Sequence, residues 1–130
     1  MYIRIVSFKW QSWPRIRMAA VLVLVSARLS VATRFEWDAE KAAQNVRKHA
    51  LSFEEAISLF TSGVDYLEIF DADHSDEEER FICIGPIARG IVLVVVVDVD
   101  ADLIRIISAR LATRREVFLY GQYLQERSDA

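Results

Sequence analysis

The 130-residue sequence is poor in cysteine, histidine, proline and glycine, with one, two, two and four residues of these types. The lone Cys83 excludes an intramolecular disulfide and a cysteine-based zinc cluster, and it fits a reducing compartment. The low glycine and proline content excludes collagen-like and low-complexity sequence. Because 53% of the residues are apolar and 27% are charged, the chain is expected to fold around a single core.

The motifs of several common enzyme classes are also missing. The sequence contains no P-loop, no glycine-rich dinucleotide fingerprint, no His-Glu-x-x-His zinc motif and no Gly-x-Ser-x-Gly nucleophile elbow. His49 and His74 are its only histidines, and the acidic residues around His74 are typical of a solvated loop. The sequence therefore predicts neither a metal site nor a cofactor.

Charge is distributed unevenly along the chain, although the net charge is only −3. Residues 1–34 carry six basic residues and no acidic one, which leaves ten basic and nineteen acidic residues for positions 35–130. Eight of those acids lie between residues 65 and 79. A nucleic-acid site is therefore expected only as a local basic patch and not as a generally basic surface.

Residues 1–33 form a basic and apolar extension ahead of a domain at residues 34–124. The apolar run Met18–Val25 has eight residues, whereas a membrane-spanning helix takes about 20, so no membrane attachment is expected. The run also fits a secretory signal cleaved after Ala27. The other interpretations are an added β-strand or a start codon read too early, and these are favoured because a complete domain follows.

Helix caps and hydrophobic periodicity predict eight elements in residues 34–124. Asp38 is a good N-cap, and capping-box patterns open the second and the last helix. The predicted elements are strand 34–37, a helix from Asp38 to about His49, a helix from Ser52 that ends at Gly63, strands 66–70, 80–85, 91–97 and 103–110, and a helix from Thr113 to about Leu124. The apolar strand 91–97 is expected to be central and buried on both faces. Short connections favour antiparallel neighbours, so the order β-α-α-β-β-β-β-α predicts an α+β fold with helices on one antiparallel sheet.

The first predicted helix has two sides. Its apolar side, which is expected to be buried, consists of Ala39, Ala42, Ala43, Val46 and Ala50. Its basic side consists of Lys41, Asn45, Lys48 and His49. The last helix begins beside three arginines, and its N-terminal N–H groups and dipole also favour an anion. Glu116 and Tyr120 lie four residues apart on it, so they are expected to face the same patch.

The cations on these ordered elements are the candidate functional residues. They are Lys41, Lys48 and His49 on the first helix, Arg80 at the start of a strand, Arg110 at the end of another, and Arg114 and Arg115 at the start of the last helix. Each one alone is compatible with a solubilising surface charge. Together they predict a phosphate-binding site.

The spacing of these residues closely resembles that of the BrnT toxins over about residues 34–120. The matching pattern is Phe35-x-Trp37-Asp38-x-x-Lys41-x-x-x-Asn45-x-x-Lys48-His49-x-x-Ser52-Phe53-x-x-Ala56, then Asp73-His74-Ser75, Glu79-Arg80-Phe81 and Arg89-Gly90, and finally Arg105, Arg110, Ala112, Arg114, Glu116 and Tyr120. The resemblance implies a RelE-like fold and a ribonuclease toxin of a type II toxin–antitoxin system that acts on translation in the cytoplasm. It also implies a BrnA-like ribbon-helix-helix antitoxin that binds the toxin, with DNA bound only through that antitoxin.

The resemblance and the charges together assign roles in a metal-independent RNA cleavage. Such a reaction needs a base for the 2′-OH proton, cations for the pentacoordinate phosphate and an acid for the leaving 5′ oxygen. Arg80 and Arg110 are the candidates for phosphate stabilisation. Lys41, His49 and Glu116 are the candidate proton carriers, and His49 is favoured because an ordinary imidazole titrates near ~6.5. Lys48, Arg114 and Tyr120 are the candidate RNA contacts, with Tyr120 stacking on a base.

Two features of the sequence depart from this interpretation. Ala50 stands where the family usually carries glycine at a helix C-terminus, so a left-handed residue there is expected to be strained. The acidic composition of the domain favours a second hypothesis, because a surface that cuts RNA is ordinarily basic. In that hypothesis the chain is a catalytically inactive binding module within a partner-bound and DNA-bound regulatory complex.

Overall fold

The structure, a computed structural model, describes residues 33–72 and 78–129. Its elements are β1 (Arg34–Glu36), α1 (Ala39–His49), α2 (Phe53–Thr61), β2 (Leu67–Phe70), β3 (Arg80–Ile87), β4 (Gly90–Asp100), β5 (Leu103–Leu111) and α3 (Arg114–Asp129). This succession confirms the predicted order β-α-α-β-β-β-β-α, so the fold is α+β. The predictions for residues 1–32, and for His74 and its acidic neighbours at 73–77, lie outside the described residues.

The strands form one sheet in the order β1-β5-β4-β3-β2. Strands β2 to β5 pair antiparallel with their neighbours, whereas β1 pairs parallel to β5. The sheet is therefore mixed, and the prediction of an antiparallel sheet is wrong at β1. A short turn fixes the relative direction of two strands, but five elements separate β1 from β5, so no connection in the sequence indicates how they pair.

Helices cover both faces of this sheet, and β4 is its central strand. Val92, Val94 and Val96 of β4 pack on the face that carries α2, while Leu93 packs on the opposite face with Tyr120 of α3. We call these the α2 face and the α3 face. The unbroken apolar run in β4 is explained by this burial on both sides, as the sequence predicts.

Several elements extend further than predicted. β4 runs to Asp100 and β5 starts at Leu103, so their hairpin turn is tighter than expected. α3 continues past its predicted end at Leu124, and an ion pair between Arg127 and Asp65 ties its last turns to the segment before β2. Within residues 33–72 and 78–129, no helix combines the length and the apolar composition needed to cross a membrane.

α1 lies against the part of β5 that β1 leaves unpaired. β1 pairs only with residues 103–105 of β5, so the following edge has no strand neighbour among the described residues. The side chain of the buried Asn45 takes that place. Its Nδ2 donates to the carbonyls of Leu51 (2.9 Å) and Ala109 (2.7 Å), and its Oδ1 accepts from the Ala109 N–H (3.1 Å). One amide thereby satisfies three buried backbone groups.

The sequence prediction is wrong about which side of α1 packs against the protein. Four of the five residues on the predicted apolar side are exposed, namely Ala39, Ala43, Val46 and Ala50, while Ala42 is half-buried. The side that contains Asn45 faces β5 instead. Hydrogen-bonding demand at the open edge of β5 explains this, because alanine and valine methyl groups offer no partner for the Ala109 backbone.

The turn after α1 contains the strained residue that the sequence indicates. Ala50 adopts the left-handed conformation, with φ 54° and ψ 32°, and its N–H donates to the Val46 carbonyl. The guanidinium of Arg89, which is also paired with Glu55, donates to the Ala50 carbonyl. These contacts hold a conformation that glycine adopts more easily.

Candidate active site

Arg80 and Arg110 point to the same face of the sheet. Side chains alternate along a strand, and Phe81 packs on the α2 face while Ile82 packs on the α3 face, so Arg80 belongs to the α3 face. Arg110 pairs across the sheet with Leu93, whose side chain is also on the α3 face. The structure therefore brings the two predicted phosphate-binding arginines to one side of the sheet.

The two arginines are nevertheless well separated on that face. Arg80 lies opposite Val97 and Arg110 lies opposite Leu93, with β4 between their strands. Strand spacing and rise place their Cα atoms about 16 Å apart. Two such residues are positioned to contact different parts of an extended polyanion.

The same face carries two residues that sequence reasoning did not select. Ser108 pairs with Val95, which packs on the α3 face, and Arg105 pairs with Val97 in the cross-strand row of Arg80. Arg105 forms ion pairs with Glu36 (2.7 Å) and Glu78 (3.1 Å). Side chains alternate along a strand, so the sequence predicts that Ser108, two residues before Arg110, shares its face. The register shift between Val95 and Val96 breaks this alternation, so the face of Arg105 cannot be predicted in the same way.

Arg110 is held by Glu116 in a bidentate ion pair. Two hydrogen bonds of 2.8 Å and 2.9 Å join the guanidinium to the carboxylate. The same carboxylate accepts from the Thr113 N–H (2.8 Å), and the Glu116 N–H donates to the Thr113 Oγ1 (3.3 Å), which forms the predicted capping box. Hydrogen bonding from Arg110 lowers the pKa of Glu116 to about 2. Such a carboxylate is ionised at neutral pH and poorly suited to exchange protons there, so the geometry favours Glu116 as the residue that orients Arg110.

This ion pair predicts a specific loss of stability in acid. The folded-state pKa of Glu116 is about 2 and lies below its ordinary value of 4.5, so its contribution to stability is present above pH ~4.5 and disappears as the pH falls towards 2. We expect Glu116→Gln, which keeps the cap but removes the charge, to lower the free energy of unfolding by about 2–3 kcal/mol at pH 6. Urea unfolding of both proteins between pH 2 and 6 checks this, and the difference must shrink towards pH 2.

The control for this series is Glu40→Gln, which removes an exposed glutamate from the first turn of α1. We expect this variant to follow the wild type within about 0.5 kcal/mol across the series. A Glu116→Gln difference that stays constant with pH would contradict the assignment of the ion pair.

Lys41, Lys48 and His49 line an open pocket of about 220 Å³ between α1 and β5. The other residues of its wall are Gln44, Asn45, Ile107 and Ser108. The three cationic residues lie three or four positions from Asn45 and therefore share its side of the helix. The hydrogen bonds of Asn45 to β5 thus bring them to the strand edge, next to Ser108 of the α3 face. Ser108 is the pocket residue that the strand register assigns to the α3 face, whereas neither Arg80 nor Arg110 lines the pocket.

Lys41, Lys48 and His49 differ from five of the nine arginines that the structure describes in having no carboxylate partner among the described residues. Arg34, Arg89, Arg105, Arg110 and Arg127 are each ion-paired. No ion pair involves Lys41, Lys48 or His49 in the part of the chain that the structure describes. In that same part, no group of three or more His, Cys, Asp or Glu side chains could hold a metal ion. The pocket therefore presents positive charge that the fold does not neutralise.

The two predicted RNA contacts on α3 have different environments. Arg114 is exposed in its first turn. Tyr120 is only 7% exposed, packs in the core of the α3 face and donates from its hydroxyl to the Asp65 carbonyl (2.7 Å). This burial raises the pKa of Tyr120. A ring in this position has no free face for a base, so the structure contradicts the stacking role, and the spacing from Glu116 is explained by core packing instead.

Comparison with known proteins is consistent with the pattern of these residues. A family model described as "Ribonuclease toxin, BrnT, of type II toxin-antitoxin system" matches residues 37–116, more than half of the chain. Among solved structures, the ribonuclease toxin BrnT of Brucella abortus is similar, with 25% sequence identity and a TM-score of 0.49 over 64% of this chain and 100% of that chain. No curated protein matches. The chain belongs to the BrnT family of ribonuclease toxins of type II toxin–antitoxin systems.

Proposed function

We propose that this chain is an endoribonuclease in which a 2′-OH of the RNA attacks the neighbouring phosphodiester without the help of a metal ion. The observation that supports this most is the placement of Lys41, Lys48 and His49 in one pocket beside β5, where neither lysine has a carboxylate partner among the described residues. RNA phosphates are bound through cationic side chains, and no carboxylate competes with phosphate for these ones. Because the chain belongs to a family of ribonuclease toxins, we infer that the polyanion bound here is RNA.

In this proposal, arginines on the α3 face stabilise the charge that develops on phosphate. Arg110 is the principal one, because the bidentate contact with Glu116 fixes its guanidinium before substrate binds. A preorganised donor of this kind loses no free energy by reorganising during the reaction. Arg80 binds the backbone further along the same face, and Arg114 and Lys48 extend the cationic surface at its two sides.

The proton carriers come from the pocket of α1. His49 is the preferred base for the 2′-OH, since neutral imidazole is an effective base near pH 7. Lys41 lies in the same wall and is the candidate for the second proton transfer, to the 5′ oxygen that leaves. The 2′-OH loses a proton, its oxygen forms a bond to phosphorus, and the bond to the 5′ oxygen breaks as that oxygen gains a proton. The products are a 2′,3′-cyclic phosphate and a free 5′-OH.

The family also suggests the biological setting of the activity. We propose that cleavage inhibits translation in the cytoplasm and that a BrnA-like ribbon-helix-helix antitoxin neutralises the protein. DNA is then contacted only through this antitoxin. Type II membership supports a protein partner, since such a toxin is paired with a protein antitoxin.

The experiment compares a labelled RNA with the DNA of the same sequence, each incubated with the purified chain in excess EDTA. We expect the RNA alone to be cut and to yield cyclic phosphate ends. His49→Ala and Lys41→Ala are expected to lower the rate by about 10²–10⁴-fold. Arg47→Ala is the matched control, because Arg47 is an exposed cation of the same helix that does not line the pocket, and its rate should stay near that of the wild type.

Two outcomes contradict the proposal in different ways. Cleavage that stops in EDTA and returns with a divalent cation argues for a metal-dependent reaction. RNA that stays intact with folded protein, while that protein binds a ribbon-helix-helix partner tightly, favours the second hypothesis of an inactive binding module.

A further inference from the structure

α3 carries apolar residues on two opposite sides. Its inner side contributes Leu119, Tyr120 and Tyr123 to the core of the α3 face. On its outer side, Val117, Phe118 and Leu124 are 43%, 63% and 38% exposed. A helix that is apolar on both sides is typical of one buried between two layers. The sheet is one layer, and the described residues supply no second one.

The outer apolar stripe is symmetric about Gly121. Phe118 lies three residues before this glycine and Leu124 three residues after it. Gly121 is also close to the midpoint of α3, which runs from Arg114 to Asp129. A Cβ at Gly121 would meet no atom within 4 Å, so the glycine leaves an open notch at the centre of the stripe.

We propose that this stripe is the contact surface for a second copy of the chain, with the two α3 helices antiparallel and a two-fold axis near Gly121. A contact of this symmetry must be self-complementary, so each residue before the axis meets one at an equal distance after it. Phe118 of one copy then packs against Leu124 of the second copy, and the reverse contact forms on the other side of the axis. The absence of a side chain at Gly121 lets the two backbones approach closely at the crossing point.

The charges at the ends of α3 fit the same arrangement. The antiparallel pairing about Gly121 places Arg114, seven residues before the axis, opposite Ser128 of the second copy and one residue from Asp129, and these residues are exposed. Arg114 also comes near the negative end of the dipole of the second helix, where a cation is favourable. A parallel pairing would place the two Arg114 side chains together instead. Charge therefore favours the antiparallel arrangement and the same chain as the partner.

The dimer is expected to be weak. Sixteen residues give a helix about 24 Å long, and one helix pair of this length buries less than the ~1,200–2,000 Å² of standard stable interfaces. A dissociation constant in the range of about 10–100 µM is therefore expected. Sedimentation equilibrium of the purified chain from about 5 to 500 µM covers this range. The inference does not depend on RNA cleavage, and neither does the measurement.

The Gly121→Gln variant distinguishes a loss of dimerisation from a loss of folding, because the two properties are expected to change in opposite directions. The substitution replaces glycine with a better helix former in open space, so the melting temperature of the monomer should rise. The added side chain fills the notch, and the dissociation constant should increase at least about tenfold. Glu126→Gln, at an exposed position on a different side of α3 from Gly121, is the matched control and should dimerise like the wild type.

A charge exchange tests the orientation of the two helices. Arg114→Asp and Asp129→Arg should each weaken the dimer, and the double variant should restore it, because only an antiparallel pair brings these positions together. If the wild-type chain is monomeric at the highest concentration, the proposal is wrong. The stripe would then be a contact surface for a partner of different sequence. A Phe118→Glu variant that associates as well as the wild type also overturns the proposal.

Discussion

Replacing Asn45 with alanine is expected to lower the free energy of unfolding by about 3–4 kcal/mol, a large part of the ~5–15 kcal/mol typical of a domain. The substitution removes three hydrogen bonds and leaves the carbonyl of Leu51 and both backbone groups of Ala109 without that partner. Leu51 and Ala109 are almost fully buried, at 1% and 0% exposed, so water does not readily replace the amide. Chemical denaturation monitored by far-UV circular dichroism gives the difference.

Gln44→Ala is the matched control for this substitution. Gln44 is an exposed amide on the neighbouring position of α1, and alanine is the better helix former, so stability should change by no more than about 0.5 kcal/mol. Asn45→Asp adds a second comparison. It keeps an acceptor for the Ala109 N–H but turns a carboxylate oxygen towards two carbonyls, so its loss should be at least as large as that of Asn45→Ala. A loss below 1 kcal/mol for Asn45→Ala would contradict the role that the geometry gives this residue.

Local signals in the sequence predict most of the elements correctly. Ser52 with Glu55, and Thr113 with Glu116, open helices at the expected residues because capping depends only on neighbours three positions apart. The left-handed Ala50, in contrast, is expected only from the family resemblance. The connections between consecutive strands from β2 to β5 are likewise shorter than a parallel crossover requires, so the antiparallel pairing of these strands follows from the sequence alone.

The predictions that fail depend on residues far apart in the chain. Asn45 appears as part of a polar side of α1, and only the position of Ala109, 64 residues away, makes that side the packed one. The direction of β1 is likewise decided by its distant neighbour β5. Tyr120 has a helical spacing from Glu116 that fits a surface patch as well as a core position, and the location of the sheet selects the core.

The candidate site shows the same division between local and distant information. The sequence selects the cations but does not reveal which of them the fold neutralises, because ion pairs such as that of Arg105 with Glu36 join separate strands. It also does not reveal that the basic side of α1 and Ser108 of β5 line the same pocket. The structure places Lys41, Lys48 and His49 in one pocket, and their roles in RNA cleavage stay predictions.

Arg110→Ala is expected to lower kcat/KM for RNA cleavage about a hundredfold, which corresponds to ~3 kcal/mol of transition-state stabilisation. Arg110→Lys keeps the charge but cannot reproduce two parallel hydrogen bonds to Glu116, so an intermediate loss of about tenfold is expected. Single-turnover cleavage of a labelled RNA measures both variants, with circular dichroism confirming that each is folded. Arg34→Ala is the control, because Arg34 is also a strand arginine paired with a carboxylate, Asp102, and its loss should change the rate less than about twofold.

Combining Arg110→Ala with Arg80→Ala tests how the α3 face holds the substrate. The two Cα atoms are about 16 Å apart, and changes at sites more than ~7–10 Å apart without shared partners are usually additive. We therefore expect the effects of the two substitutions on the activation free energy to add, with Arg110 acting at the scissile phosphate and Arg80 at another part of the backbone. A double variant no slower than Arg110→Ala would instead mean that both guanidinium groups serve the same phosphate. That result would require the two side chains to converge when RNA binds, since their strands hold them apart in the free protein.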